Sequence, residues 1–117
     1  MLRRRPETAG VARRIAADFV QDRIDAGVRS DLAVVVSELV TNAVRHGAGE
    51  IHLVLSMVGE ARLRVAVSDE GPPGRLGIPA RRRVETGRGL FIVERLAASW
   101  GVEAGAVGKT VWCELRG

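Results

Sequence analysis

The 117 residues carry a net charge of +4, with 46% hydrophobic and only 3% aromatic residues, which suits one domain spanning 1–117 whose core is Val, Leu, Ile and Ala. Cys113 is the single cysteine, which excludes an intrachain disulfide and agrees with a cytoplasmic setting; no stretch nears the ~20 apolar residues of a membrane span, and the basic start Met1–Pro6 lacks a leader's apolar run. Of the 18 basic residues only Lys109 is lysine, and no nucleic-acid motif or stacking platform accompanies the arginines, so direct nucleic-acid binding is not expected.

In chain order, Thr8 to about Ile24 reads as a helix whose core stripe is Val11, Ile15 and Phe19, with Gly27 in the turn that follows. Ser30 is a suitable N-cap for a second helix running to about His46 and stopping at Gly47. Ile51, Leu53, Leu55 and Met57 then alternate with polar neighbours. After a two-residue turn at Gly59-Glu60, Leu63, Val65 and Val67 alternate likewise, giving a hairpin. Pro72, Pro73, Gly74, Gly77 and Pro79 break the pattern from Glu70 to Arg88, a loop long enough to suggest a binding segment or lid. Leu90, Ile92, Val93, Leu96 and Ala97 mark a third helix. Trp100–Glu103 and Lys109–Leu115 form a closing hairpin around Gly105 and Gly108. The order predicts an α+β fold, a two-layer sandwich with a mostly antiparallel sheet and about three helices on one face.

Three segments carry candidate chemistry. In Ser37-Glu38-Leu39-Val40-Thr41-Asn42-Ala43-Val44-Arg45-His46-Gly47, a four-residue step places Glu38 and Asn42 on one helix face, joined by Arg45, while Leu32, Val36, Leu39, Val40 and Ala43 fill the other. An Asn oxygen is a suitable hard ligand for magnesium, and a Glu one turn earlier can deprotonate or orient a hydroxyl beside a phosphate. The same pattern also describes an ordinary amphipathic helix. In Val67–Gly74, Asp69 ends a strand beside glycines and is placed to accept from an exocyclic amine, although Asp-x-Gly-Pro is equally good turn chemistry. In Glu85–Val93, Gly87-Arg88-Gly89 opens a helix whose first N–H groups suit phosphate; the spacing is neither a P-loop nor a dinucleotide fingerprint.

As an ordered set these segments resemble the N box and the two glycine boxes of the Bergerat-fold ATP-binding domain, the superfamily of gyrase, histidine kinases and MutL. Within it they are most similar to anti-sigma-factor serine/threonine kinases and their stand-alone actinobacterial relatives. The ending Gly108-Lys109-Thr110-Val111-Trp112 is similar too. The resemblance implies ATP and Mg²⁺ as cofactors and a histidine-kinase-like ATPase fold. It implies Glu38 as general base, Asn42 as magnesium ligand and Asp69 as the reader of the adenine amine, with Gly71 and Gly74 giving close approach. Gly87, Arg88 and Gly89, with Leu90 and Arg45, would complete the nucleotide site, and Thr110 would support the base pocket. Residues 75–86, including Arg81-Arg82-Arg83, would be the ATP lid. Two departures stand out: Gly71 and Gly74 lie two residues apart instead of one, and Phe91 replaces a third glycine.

The function this implies is a regulatory protein kinase that transfers the γ-phosphate of ATP to a Ser or Thr of an antagonist protein, binds a sigma factor as well, and forms a homodimer. The alternative is an ATP-holding module that sequesters its partner without chemistry. His46 reads as a structural residue whose cation suits a helix C-terminus, His52 as a surface residue, and Cys113 as a buried structural thiol.

Overall fold

A computed structural model describes residues 1–21, 23–59, 62–71 and 88–116, the side chains of 88–90 excepted. Three helices, α1 (Thr8–Val20), α2 (Ala26–His46) and α3 (Arg88–Leu96), pack on four strands, β1 (His52–Val58), β2 (Arg62–Asp69), β3 (Ser99–Ala104) and β4 (Lys109–Arg116). The sheet is antiparallel throughout, in the order β1-β2-β4-β3. The expected α+β sandwich is therefore the observed one.

Alternation decides which residues meet the helices. Leu63, Val65, Val67 and Asp69 of β2 are buried, as are Lys109, Val111, Cys113 and Leu115 of β4, so both sets face the helical layer. The opposite face carries Ser68, Ala66 and Arg64 beside Thr110, Trp112 and Glu114. There the Arg64 guanidinium lies 4.5 Å from the centre of the Trp112 ring and 3.6 Å from Glu114. Gly101 lies under that indole, where a Cβ would come within 3.0 Å of it.

α2 runs through the middle of the helical layer and buries Leu32, Val35, Val36, Leu39, Val40 and Ala43. It begins earlier than expected. Asp25, not Ser30, is the N-cap, and its carboxylate accepts from the Val28 N–H at 2.9 Å. Gly27 consequently sits inside the first turn instead of before it.

α1 buries Thr8, Ala12, Ala16 and Val20, and leaves Val11 40% and Ile15 44% exposed. The expected Val11–Ile15–Phe19 stripe is thus not the inward face. α1 lies along α2, and alanines let two helices approach closely, so the small-residue stripe turns in and the bulky one lies at the margin. The helix stops at Val20, short of the expected Ile24, where Gln21 turns left-handed (φ 46°). Between β1 and β2, Val58 pairs with Arg62, so three residues separate the arms instead of two. Among the described residues, no helix is long and apolar enough to cross a membrane.

Candidate nucleotide site

The end of α2 and the end of β2 meet. The Gly47 N–H closes the helix on the Ala43 carbonyl, and Ala48 follows with its N–H 3.4 Å from Asp69 Oδ1. The Glu70 N–H returns a 2.7 Å bond to the Ala48 carbonyl, and Glu70 Oε2 accepts from the Glu50 N–H at 3.0 Å. This lattice needs a residue without a side chain at Gly47, because a Cβ there would stand 2.4 Å from Asp69 Cγ. The same holds at Gly108, where a Cβ would fall 1.9 Å from the Asp69 carbonyl oxygen. The N-terminal segment closes the helix end from outside: Arg4 Nη1 donates to the carbonyls of Ala43 and Val44, and Nη2 to that of Gly49 at 3.0 Å.

Asn42, one turn before this junction, is 8% exposed, and its Nδ2 has no hydrogen-bond partner among the described residues. An orphaned buried amide is uncommon and asks for a ligand. Rotated by half a turn, the same amide presents its oxygen instead, the hard donor that magnesium takes. The residue present therefore fits the implied ion. Among the described residues no three His, Cys, Asp or Glu side chains gather as a metal site. Glu38, one helical turn earlier, is half-buried.

Asp69 is 5% exposed, and its described hydrogen bonds all end on Oδ1: from the Gly71 N–H at 2.6 Å, from Lys109 Nζ at 2.8 Å, and more weakly from Ala48. Lys109 stands directly opposite Asp69 in the β2–β4 register, and both side chains are sealed from solvent.

The structure thus sets Asp69 and Gly71 against Gly47 and Ala48, one helical turn beyond Asn42, and separates others from that junction. Thr110 does not face this corner. It pairs with Ser68 on the other face of the sheet, its Oγ1 3.4 Å from Ser68 Oγ, so the expectation that it supports the base pocket is corrected: the strand's alternation gives that position to Lys109. Arg45 is exposed and lines, with Thr41, Val44, Pro6 and Ala9, a groove of about 290 Å³ between α2 and the start of α1. Arg88, Gly89 and Leu90 open α3, with backbone described and side chains not. Gly74, Gly87 and the lid segment 75–86, with Arg81–Arg83, lie outside the described residues.

Sequence reasoning missed Lys109. The signal was available: it is the only lysine, and it continues the Val111, Cys113, Leu115 alternation on the core side. A charged residue at a core-facing position calls for a buried partner of opposite sign.

His46 was read as a structural residue at the end of α2. Burial, then the charges of Arg45 and Lys109, hold its pKa below the ordinary 6.5, which works against the cation that the helix dipole would suit. Cys113 is the buried thiol expected; burial first, then Glu114, pushes its pKa up to about 12.

Comparison with known proteins agrees with this geometry. A family model described as the histidine kinase-like ATPase domain matches residues 2–115. None of the curated proteins compared matches the chain. Among solved structures, the histidine kinase domain of the blue-light activated histidine kinase of Erythrobacter litoralis EL346 is 24% identical with a TM-score of 0.55, covering 92% of this chain and 59% of that one. The mycobacterial sensor histidine kinase MprB is 22% identical with a TM-score of 0.58, covering 76% of this chain and 72% of its own. Full-length ShkA in complex with AMPPNP is 24% identical with a TM-score of 0.59, covering 92% of this chain and 29% of its own. The chain spans well under two thirds of two of these three, and at such identities the likeness is one of fold. The matched family model covers nearly every residue, and the chain belongs to the histidine kinase-like ATPase domain family.

Proposed function

We propose that this domain binds Mg-ATP and acts as a regulatory protein kinase of the anti-sigma-factor type, transferring the γ-phosphoryl group to a Ser or Thr of an antagonist protein. The observation that carries the nucleotide reading is the unsatisfied amide of Asn42, buried one turn from the helix end that closes over Asp69. The family match and the AMPPNP named with ShkA support it. Asn42 would hold the magnesium ion, whose chemistry there would be to neutralise charge on the phosphates.

The chain's own residues divide the rest. Asn42 offers its amide oxygen to the ion. Asp69 holds the base end and Gly71 leaves the backbone bare beside it. Glu38 takes the proton of the attacking hydroxyl as its oxygen bonds to the γ-phosphorus and the bond to the ADP leaving oxygen breaks. The sigma-factor contact and the homodimer belong to the same proposal. Their support is the resemblance of the ordered motifs and the half-exposed Val11 and Ile15 on α1, apolar surface available to a partner.

Titration calorimetry with ATP and ADP, with and without magnesium, tests the binding claim. Wild type binds ATP more tightly with magnesium than without it, and Asn42→Ala loses that difference. Nucleotide binding indifferent to both magnesium and Asn42 overturns the site. The second reading is a non-catalytic module, which the sealing of Asp69 by Lys109 favours because a site closed at rest suits slow sensing better than turnover. Glu38→Ala separates the two readings. It abolishes phosphorylation of the antagonist, by about a hundredfold or more, if the domain is a kinase. If wild type folds and binds Mg-ATP yet phosphorylates no antagonist, the module reading stands.

A further inference from the structure

The loop that leaves α2 is held by a residue distant in sequence. It runs Gly47-Ala48-Gly49, and Gly49 takes a left-handed turn (φ 65°), so the segment has little rigidity of its own. It meets the end of β2 through the Ala48 N–H, 3.4 Å from Asp69 Oδ1, and through the Ala48 carbonyl, which accepts from the Glu70 N–H at 2.7 Å. The first contact is long for a hydrogen bond and does not fix the loop alone.

Arg4 supplies the missing constraint. Nη1 donates to the Ala43 carbonyl and, at 2.9 Å, to that of Val44, while Nη2 donates to that of Gly49 at 3.0 Å. One planar guanidinium thus spans the loop, from the last turn of α2 to the residue before Glu50. The Ala43 carbonyl also receives the Gly47 N–H, so Arg4 grips the turn that follows Asn42. Arg4 is itself anchored on both sides. The Leu2 N–H bonds to the Ile51 carbonyl at 2.7 Å, an antiparallel bridge just before β1. On the other side the buried Thr8 hydroxyl holds the Arg3 carbonyl and the Arg5 N–H.

Resting on the nucleotide reading above, we propose that Arg4 is a positioning residue of the nucleotide site: it sets affinity from outside, by keeping the last turn of α2 and the 47–49 loop set against Asp69. Without it the loop samples other arrangements, and the observed affinity falls in proportion to the fraction of molecules that stays competent. The first seven residues act through Arg4 as a strap, so whatever draws that segment away weakens nucleotide binding without entering the site.

Calorimetric titration with Mg-ATP, well below the unfolding temperature of every variant, tests this. Arg4→Ala is expected to raise the Kd about tenfold or more, and Arg4→Lys to give an intermediate value. Leu115→Val is the control. It trims the buried core at the opposite end of β4, about 20 Å from Lys109 by strand rise, and is expected to lower Tm while the Kd stays within about twofold. A merely structural arginine would lower Tm and leave the Kd alone, so an Arg4→Ala Kd within about twofold of wild type overturns the proposal. So does a Leu115→Val loss as large as that of Arg4→Ala, because affinity would then follow stability alone. If Arg4→Ala does not fold, Arg4→Lys set against Leu115→Val decides by the same comparison. A wild type that binds no nucleotide overturns the nucleotide reading and this one with it, whereas wild-type binding that Arg4→Ala leaves unchanged overturns only this one.

Discussion

At His46 two effects of position oppose each other. Its site at the end of α2 suits a cation by the helix dipole, but the ring is partly buried, and burial, ahead of the charges of Arg45 and Lys109, lowers its pKa. The folded pKa therefore lies below the 6.5 of the unfolded chain. The unfolded state takes up a proton first as pH falls, so His46 costs nothing above 6.5 and destabilises the fold as pH drops from there toward the folded value. Denaturant unfolding at about pH 7.5 and about pH 5.5 is expected to show this loss, and His46→Asn to flatten it.

Gly108 makes a sharper case. The Cβ of Gly108→Ala would fall 1.9 Å from the Asp69 carbonyl oxygen, so β2 and β4 must part where the ion pair sits. The expected cost is about 3 kcal/mol or more in denaturant unfolding, against near-neutral behaviour for Gly105→Ala, whose nearest contact would be an ordinary 3.6 Å.

At the scale of elements, alternation and helical period carried most of the fold. Leu63, Val65 and Val67 announce their strand, and Leu32, Val36, Leu39, Val40 and Ala43 the inner face of α2; all eight are buried. The burial of Asn42 was not legible, because the helical period set it with Glu38 on the face opposite the apolar residues, and Asp69 read equally well as turn chemistry. What stayed hidden is set by distant partners. On α1 two four-residue stripes compete, and the sequence favours the bulkier one, whereas close packing against α2 selects the alanines. Thr110 was misplaced because motif likeness ignores strand parity.

Arg4 is another distant partner. Its one guanidinium reaches two carbonyls at the C-terminal end of α2, those of Ala43 and Val44, and the Gly49 carbonyl just beyond the helix. Arg4→Ala is expected to cost about 2 kcal/mol, read as a fall in Tm of roughly 8–16 °C. Arg4→Lys recovers only part, since an ammonium lacks the planar fork that spans the three acceptors.

For the whole molecule, the site lies at one edge of the contact between the helical layer and the sheet: the α2 end with its N-terminal clamp on one side, and the paired ends of β2 and β4 on the other. A ligand bridging Asn42 and Asp69 therefore stabilises the fold globally. At a concentration about a hundred times its Kd, Mg-ATP is expected to add about 2.7 kcal/mol to the unfolding free energy. Thermal unfolding across an ATP series checks this, and Asn42→Ala should shift the curve to higher nucleotide concentrations. An unchanged Tm at saturating Mg-ATP would mean that the nucleotide, if it binds, does not span the junction.

The sheet also carries its own pair of optical reporters. Trp100 faces the helical layer across from Cys113, whereas Trp112 lies on the uncovered side beneath Arg64. Iodide in solution should dim the emission of Trp112 far more than that of Trp100, with the positive charge of Arg64 drawing the quencher in. Substituting either indole by Phe would leave a single fluorophore on one known side, and comparing the two variants would tell a partner docking on the bare side from events in the nucleotide corner by which one's colour and lifetime respond.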